Sequence, residues 1–132
     1  MKNLFEVKEL APANLMDKRG PVYNWTIPDG RTVVLFFRKK GSILGGHFHK
    51  GKDPSKNPER FFIATGKLKG KFLDPDGKEK EEILEIKSGE CALELTIFPF
   101  VWHSFEVLED TLLIELRINP FDPEKSDTYT KL

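Results

Sequence analysis

Apolar and polar residues along this chain alternate with a period of two or gather in short apolar runs, and no stretch sustains the three-and-four spacing of an amphipathic helix. That pattern predicts strands. RTVVLFFRKK (31–40), dense in β-branched and aromatic side chains, is a first strand that stops at Gly41. RFFIAT (60–65) is a second, closed by Gly66. KLKGKFL (67–73) places Leu68, Gly70 and Phe72 on one face and Lys67, Lys69 and Lys71 on the solvent face, up to a DPDG turn at 74–77. EEILEIK and ALELTIF follow on either side of a turn at Ser88-Gly89-Glu90, and VWHSFEVL alternates until Glu109-Asp110, where a turn into TLLIELRI is expected. At least seven short strands with turns between them predict an all-β sandwich or barrel. By the same alternation Phe61, Ile63, Leu93, Leu95, Phe105, Leu112, Ile114 and Leu116 form much of the core. Glu79, Glu81 and Glu82 read as a solvated sheet edge, and Cys91 as a small buried hydrophobe. Loop-like APANL and KRGP belong to an N-terminal arm of about residues 1–30, and the polar, proline-interrupted NPFDPEKSDTYTKL is a tail over 119–132.

Composition narrows the function. A chain of 132 residues fits one domain, and at that size folding buries about 68% of the unfolded surface, enough for one full core. Lysine plus arginine number 21, as do aspartate plus glutamate, so no net field draws a nucleic acid or an anionic membrane. The single cysteine excludes an internal disulfide and any cysteine-pair zinc site. MKNLFEVKEL is broken by charges where a signal peptide needs an apolar core, and the longest apolar run, Val33 to Phe37, is far short of a membrane span. These features predict a cytoplasmic protein.

The candidate chemistry lies in the histidines. GGHFHK (45–50) holds two of the chain's three, and on a strand positions i and i+2 face the same way, so His47 and His49 project together with Phe48 opposite. Glu59 opens the strand ERFFIAT, and His103 sits in a strand-like segment after Pro99. Two histidines, a carboxylate and a third histidine from separate segments supply the donors that a divalent ion of zinc, iron, manganese or nickel requires. The competing readings are surface histidines at 47 and 49, an exposed strand-start carboxylate at 59, and a histidine packed among aromatics at 103. Arg38 suits a phosphate group, Tyr23 and Trp25 suit stacking on a sugar or base, and Lys50 suits either a phosphate or a solvated loop. Asp74 and Asp76 are accounted for by their turn.

Gly41, His47, His49, Glu59 and Gly66 read G-x5-H-x-H-x9-E-x6-G, which resembles the first motif of the cupin superfamily. The segment KGKDPSKNP between His49 and Glu59 is longer than the three or four residues usual there, and reads as a loop inserted at the barrel mouth. Gly89, Pro99 and His103 give a looser version of the second motif, without its second glycine and its asparagine. HFHK, PFVWH and FDPEKSDTY are further similar to cupins of bacterial surface-polysaccharide and nucleotide-sugar biosynthesis. The resemblance implies a single cupin-type double-stranded β-helix (jelly-roll) barrel over 1–132. It also implies a metal held by His47, His49, Glu59 and His103, a homodimer, and a small-molecule substrate of the nucleotide-sugar kind.

Three functions stay open. In the first, a sugar isomerase or epimerase uses His47, His49 or Glu59 as acid and base beside a carbonyl. The second is a non-haem iron or manganese oxygenase on the same donors. The third is a non-catalytic small-molecule or metal-binding cupin, since one scaffold hosts many chemistries.

Overall fold

The alternating segments form seven strands in the computed structural model, which describes residues 4–13, 17–87, 89–119 and 122–130. In chain order they are β1 (Val22–Thr26), β2 (Thr32–Arg38), β3 (Ile43–His47), β4 (Glu59–Leu73), β5 (Glu79–Glu85), β6 (Leu93–Ile97) and β7 (Trp102–Arg117). Ser88, expected in a turn, lies outside the described residues, as do the end of APANL and parts of the expected arm and tail (1–3, 120–121 and 131–132). Helical structure among the described residues is limited to two 3-10 turns, Pro54–Lys56 and Pro123–Lys125.

Two strands organise the rest. β4 and β7, with 15 and 16 residues, are far longer than the five or six residues typical of a strand and pair antiparallel along most of their length. The upper half of β7 pairs with β3 and with the second half of β4, whereas its lower half pairs with β2 and the first half of β4. β1 extends the sheet beyond β2, β5 lies beside β4 at one end, and β6 lies beside it at the other. Leu44, Ile63, Leu68, Ile97, Phe105, Val107 and Leu113 make the core where the two halves face each other.

The structure corrects the expected breaks at Gly66 and at Glu109-Asp110, because both strands bend there and continue. Gly66 has φ +107°, and a Cβ on it would lie 2.2 Å from Thr111 Oγ1. The register between β4 and β7 shifts around that contact. A glycine that looks like a terminator is therefore a bulge, at which the sheet turns a corner.

The core expectation divides. Ile63 and Phe105 are buried, and Phe61, Leu93 and Leu95 pack against the core. Leu112, Ile114 and Leu116 were expected inside, yet in this half of β7 it is Thr111, Leu113, Glu115 and Arg117 that are buried, and Leu116 is 48% exposed. The inward row carries charge, so the apolar row marks the outer face. Cys91 is likewise exposed, between a turn and β6. The acidic edge is as expected: Glu79, Glu81 and Glu82 are exposed on β5, and Lys71 and Lys69 reach Glu79 and Glu81 at 3.3 and 3.5 Å.

Candidate metal centre

The glycine pair before the histidines has a structural cause. Gly45 pairs with Ser104 and His47 with His103, which leaves Gly46 as an extra residue in β3. Gly45 and Gly46 have φ +76° and +78°, and a Cβ on Gly45 would lie 2.8 Å from the His103 carbonyl oxygen. Bare backbone permits both the close approach and the bulge. His47 is thereby set beside His103, with ring centroids 4.8 Å apart. His49, two residues on, faces the same cavity 4.8 Å from His47 and 5.5 Å from His103, while Phe48 turns away to stack between Phe100 and Tyr129.

Each of two imidazoles is oriented by a carbonyl. His49 Nδ1 donates to Asp127 O at 2.8 Å and His103 Nδ1 donates to Val101 O at 3.0 Å, so both rings turn Nε2 inward, towards Glu59. One ligand atom from each of His47, His49 and His103 falls within 4.8 Å of the others. Glu59, 2% exposed at the start of β4, brings Oε1 to 3.4 Å from both His49 Nε2 and His103 Nε2. His49 Nε2 and Glu59 Oε1 are buried without a hydrogen-bond partner. Donors about 2.1 Å from one tetrahedral ion stand about 3.4 Å apart, so these orphaned atoms have the spacing that a shared cation imposes. The residues fit a divalent metal.

The other side of the same cavity is ionic, and the sequence reading missed it. The inserted loop is ordered: Asp53 caps the 3-10 turn by accepting from Ser55 N at 2.9 Å, and Lys56 at its end points into the barrel. Lys56 Nζ donates to Glu59 Oε2 and, at 2.9 Å, to Glu115 Oε2. Arg117, next on the inward row of β7, lies 3.7 Å from Glu115 and 2.7 Å from Asp53. Asp127 in the tail ties the loop down, accepting from Lys50 N and Asp53 N at 3.0 Å each. Only opposite charges at i and i+2 on β7, and again at Asp53 and Lys56 in the loop, signalled this ladder.

Burial dominates the electrostatics. It works against ionisation of Glu59, but the imidazoles of His103 and His49 together with Lys56 outweigh it and hold the carboxyl far below its usual range. Burial raises Glu115 to about 7, with Lys56 opposing and Glu59 adding to the rise. His47 is lowered to about 4, first by burial and then by the other two histidines.

The cavity, about 410 Å³, is lined by these groups and by Val34, Phe36, Leu44, Phe61, Leu68, Leu95, Phe105 and Leu113, with Arg19, Asn24, Arg38 and Thr128. Arg38 is buried there and donates to Gly20 O at 3.1 Å and to Asp17 at 3.4 Å. Tyr23 and Trp25, expected near the mouth, lie on the outer face, since alternation along β1 sends Asn24 inward between them. Lys50 is exposed, with its ammonium 4.2 Å from the centre of the Tyr129 ring, and does not line the cavity. The three histidines thus come together with Glu59 beside two of them, and of the four residues expected to contact substrate only Arg38 lines the same cavity.

Comparison with solved structures identifies the fold. The chain matches the capsular polysaccharide assembling protein CapF of Staphylococcus aureus with TM-score 0.73 and 24% identity, over 93% of this chain and 32% of that one. It matches a tryptophan-to-phenylalanine variant of Bacillus subtilis oxalate decarboxylase with TM-score 0.60 and 19% identity, over 86% and 29% of the two chains. It spans about a third of the length of these proteins. No protein-family model matches it, and neither does any curated protein sequence. The fold is that of a cupin. Among the described residues no helix is long and apolar enough to cross a membrane.

Proposed function

We propose that this cupin-fold chain is a metal-dependent isomerase or epimerase, acting on a keto-sugar carried by a nucleotide. The observation that carries the reading is the pair of orphaned buried donors, His49 Nε2 and Glu59 Oε1, set within a cavity that also holds a carboxyl group titrating near neutrality. A divalent ion bound by His47, His49, His103 and Glu59 supplies Lewis-acid polarisation of a carbonyl. Glu115, on the cavity wall, has the proton affinity suited to taking a proton from the carbon next to that carbonyl and returning it. Glu59 and His47 would be taken up by the ion, which leaves Glu115 as the base. Phe36, Phe61, Leu68 and Phe105 keep water from the reacting carbon, while Arg38 and Arg19 offer cations to the phosphates outside a cavity sized for a sugar ring. The structural likeness to CapF, a capsular polysaccharide assembling protein, supports sugar chemistry.

The test is deuterium incorporation next to the carbonyl of a nucleotide-linked keto-sugar, followed by NMR in heavy water. Incorporation by the wild-type protein and none by His49→Ala is expected. Tight binding of metal and sugar with no exchange would reduce the site to a binding module. A redox reading has one observation in its favour, the likeness to oxalate decarboxylase, whose Mn(II) centres are a subject of its structures. Elemental analysis of protein purified without a histidine tag tests the redox reading, since a zinc centre supports no redox turnover.

The same reading includes a homodimer in the cytoplasm. Trp25, Phe37, Phe62, Leu116 and Ile118 are 41% to 54% exposed on the outer side of β1, β2, β7 and β4, and Leu4, Phe5 and Val7 project from the N-terminal arm. An apolar surface of this kind supports burial against a second copy. Sedimentation of a monomer at all concentrations would remove the dimer from the proposal.

A further inference from the structure

The loop between His49 and Glu59 costs nine residues and is fastened at several points to deliver one side chain. Asp127 accepts from its backbone at Lys50 and Asp53, Arg117 grips Asp53, and Ser55 Oγ donates to Asn119 and accepts from Ile118 N at 3.0 Å. What this fixed loop places inside the barrel is Lys56, whose side chain is only 15% exposed. Its ammonium divides the two oxygens of Glu59. Oε2 is taken by Lys56, which also holds Glu115, and Oε1 is left facing His49 and His103 with no hydrogen bond of its own.

We propose that Lys56 is a positioning residue, which fixes Glu59 as a one-oxygen donor to the histidine centre. The inference rests on the metal reading above. Without the ammonium, Oε2 has no counter-charge, two buried carboxylates face each other across the gap, and the Glu59 side chain is no longer held in the rotamer that points Oε1 at the histidines. A lysine that merely filled space or balanced Glu115 would influence stability without acting through Glu59.

Zinc affinity, measured by chelator competition at one pH, distinguishes these roles when combined with melting of the metal-free protein. Lys56→Met is expected to weaken zinc binding 10- to 100-fold, the range for loss of a group that orients a ligand. In a Glu59→Gln background, Lys56→Met should add less than a twofold change, because the group it acts through is gone. Lys56→Met combined with Glu115→Gln should stay as weak as Lys56→Met alone, and it serves as the readable variant if the single one does not fold. Lys56→Arg should recover most of the affinity. Wild-type affinity in the combined Glu115 variant, or full additivity with Glu59→Gln, overturns the proposal. His49→Ala is the control: if it too binds zinc like wild type, the metal reading itself has failed, whereas loss in His49→Ala with full retention in Lys56→Met removes the lysine role alone.

Discussion

One cavity has two unlike walls. On one side are three imidazoles brought together by strand alternation and a glycine bulge, with two of the rings oriented by backbone carbonyls. On the other is a ladder of alternating charges, Glu59, Lys56, Glu115, Arg117 and Asp53, drawn from an inserted loop and the far half of β7. Neutral donors cost little to bury and are costly only when a proton must be added, so the histidine wall needs few supports. Buried ions need partners, and the ladder supplies them in sequence, although at Glu115 burial outweighs the help of Lys56. Glu59 belongs to both walls. A change on the histidine side should therefore read out as metal, and one on the ionic side as metal, stability and pH dependence together.

The largest expected effect comes from the histidine wall. His103→Ala removes a proposed ligand that is 2% exposed and paired in register with His47, and should lower metal affinity more than 100-fold while leaving the antiparallel pairing of β3 with β7 in place. Metal analysis after dialysis, with circular dichroism for the fold, checks both halves of that statement. Retention of metal would mean that His103 is not a ligand. A smaller effect is expected from the tail. Asp127→Ala removes the acceptor for Lys50 N and Asp53 N, loosening both the loop and the carbonyl that orients His49. Metal affinity should fall about 10-fold, and the metal-free protein should lose on the order of 2 kcal/mol, since two backbone donors are left in a partly buried place. Asp127→Asn keeps one acceptor oxygen and should fall between. An Asp127→Ala variant that loses stability but keeps full affinity would confine the tail to the fold.

The two walls also differ in how far they could be read beforehand. The histidines announced themselves through spacing: His47 and His49 at i and i+2 after two glycines, with Glu59 opening a strand and His103 within another. The local period carries that information, because a strand's alternation fixes which side chains share a face. The ionic wall was hidden by the same rule. In TLLIELRI both rows alternate perfectly, and choosing the apolar one as the inside assumes that the interior is apolar. Glu115 and Arg117 reverse the choice because each has a partner in a loop some sixty residues earlier, Lys56 at 2.9 Å and Asp53 at 2.7 Å. No local pattern records such a pairing. Gly66 misled for a related reason. Its contact with Thr111 is long-range, so a bulge in a continuous strand reads as an end.

The smallest effect tests the ionic wall through pH. Glu115 in the folded chain titrates at about 7, above the 4.5 of an unperturbed glutamate, so it stays protonated where the unfolded chain has ionised. Its contribution to stability is fully present below about 4.5 and is lost as pH rises through 7. His47 works in the opposite sense. Folded, it stays neutral down to about 4, whereas the unfolded chain takes up a proton near 6.5, so its contribution is present above 6.5 and is lost as pH falls towards 4. Between these limits the two slopes oppose each other, and the metal-free wild-type protein should show a nearly flat stability. Glu115→Gln removes one slope. The variant should match wild type near pH 4.5 and exceed it at pH 8 by on the order of 2 kcal/mol, a difference read as a pH-dependent gap in melting temperature under chelator. Glu59, Lys56, His49, His103 and Arg117 face these two groups, and in the variant Lys56 retains Glu59 and Arg117 retains Asp53. A gap of equal size at both pH values would mean that the substitution acts through packing, and that Glu115 is not the group whose proton the ionic wall controls.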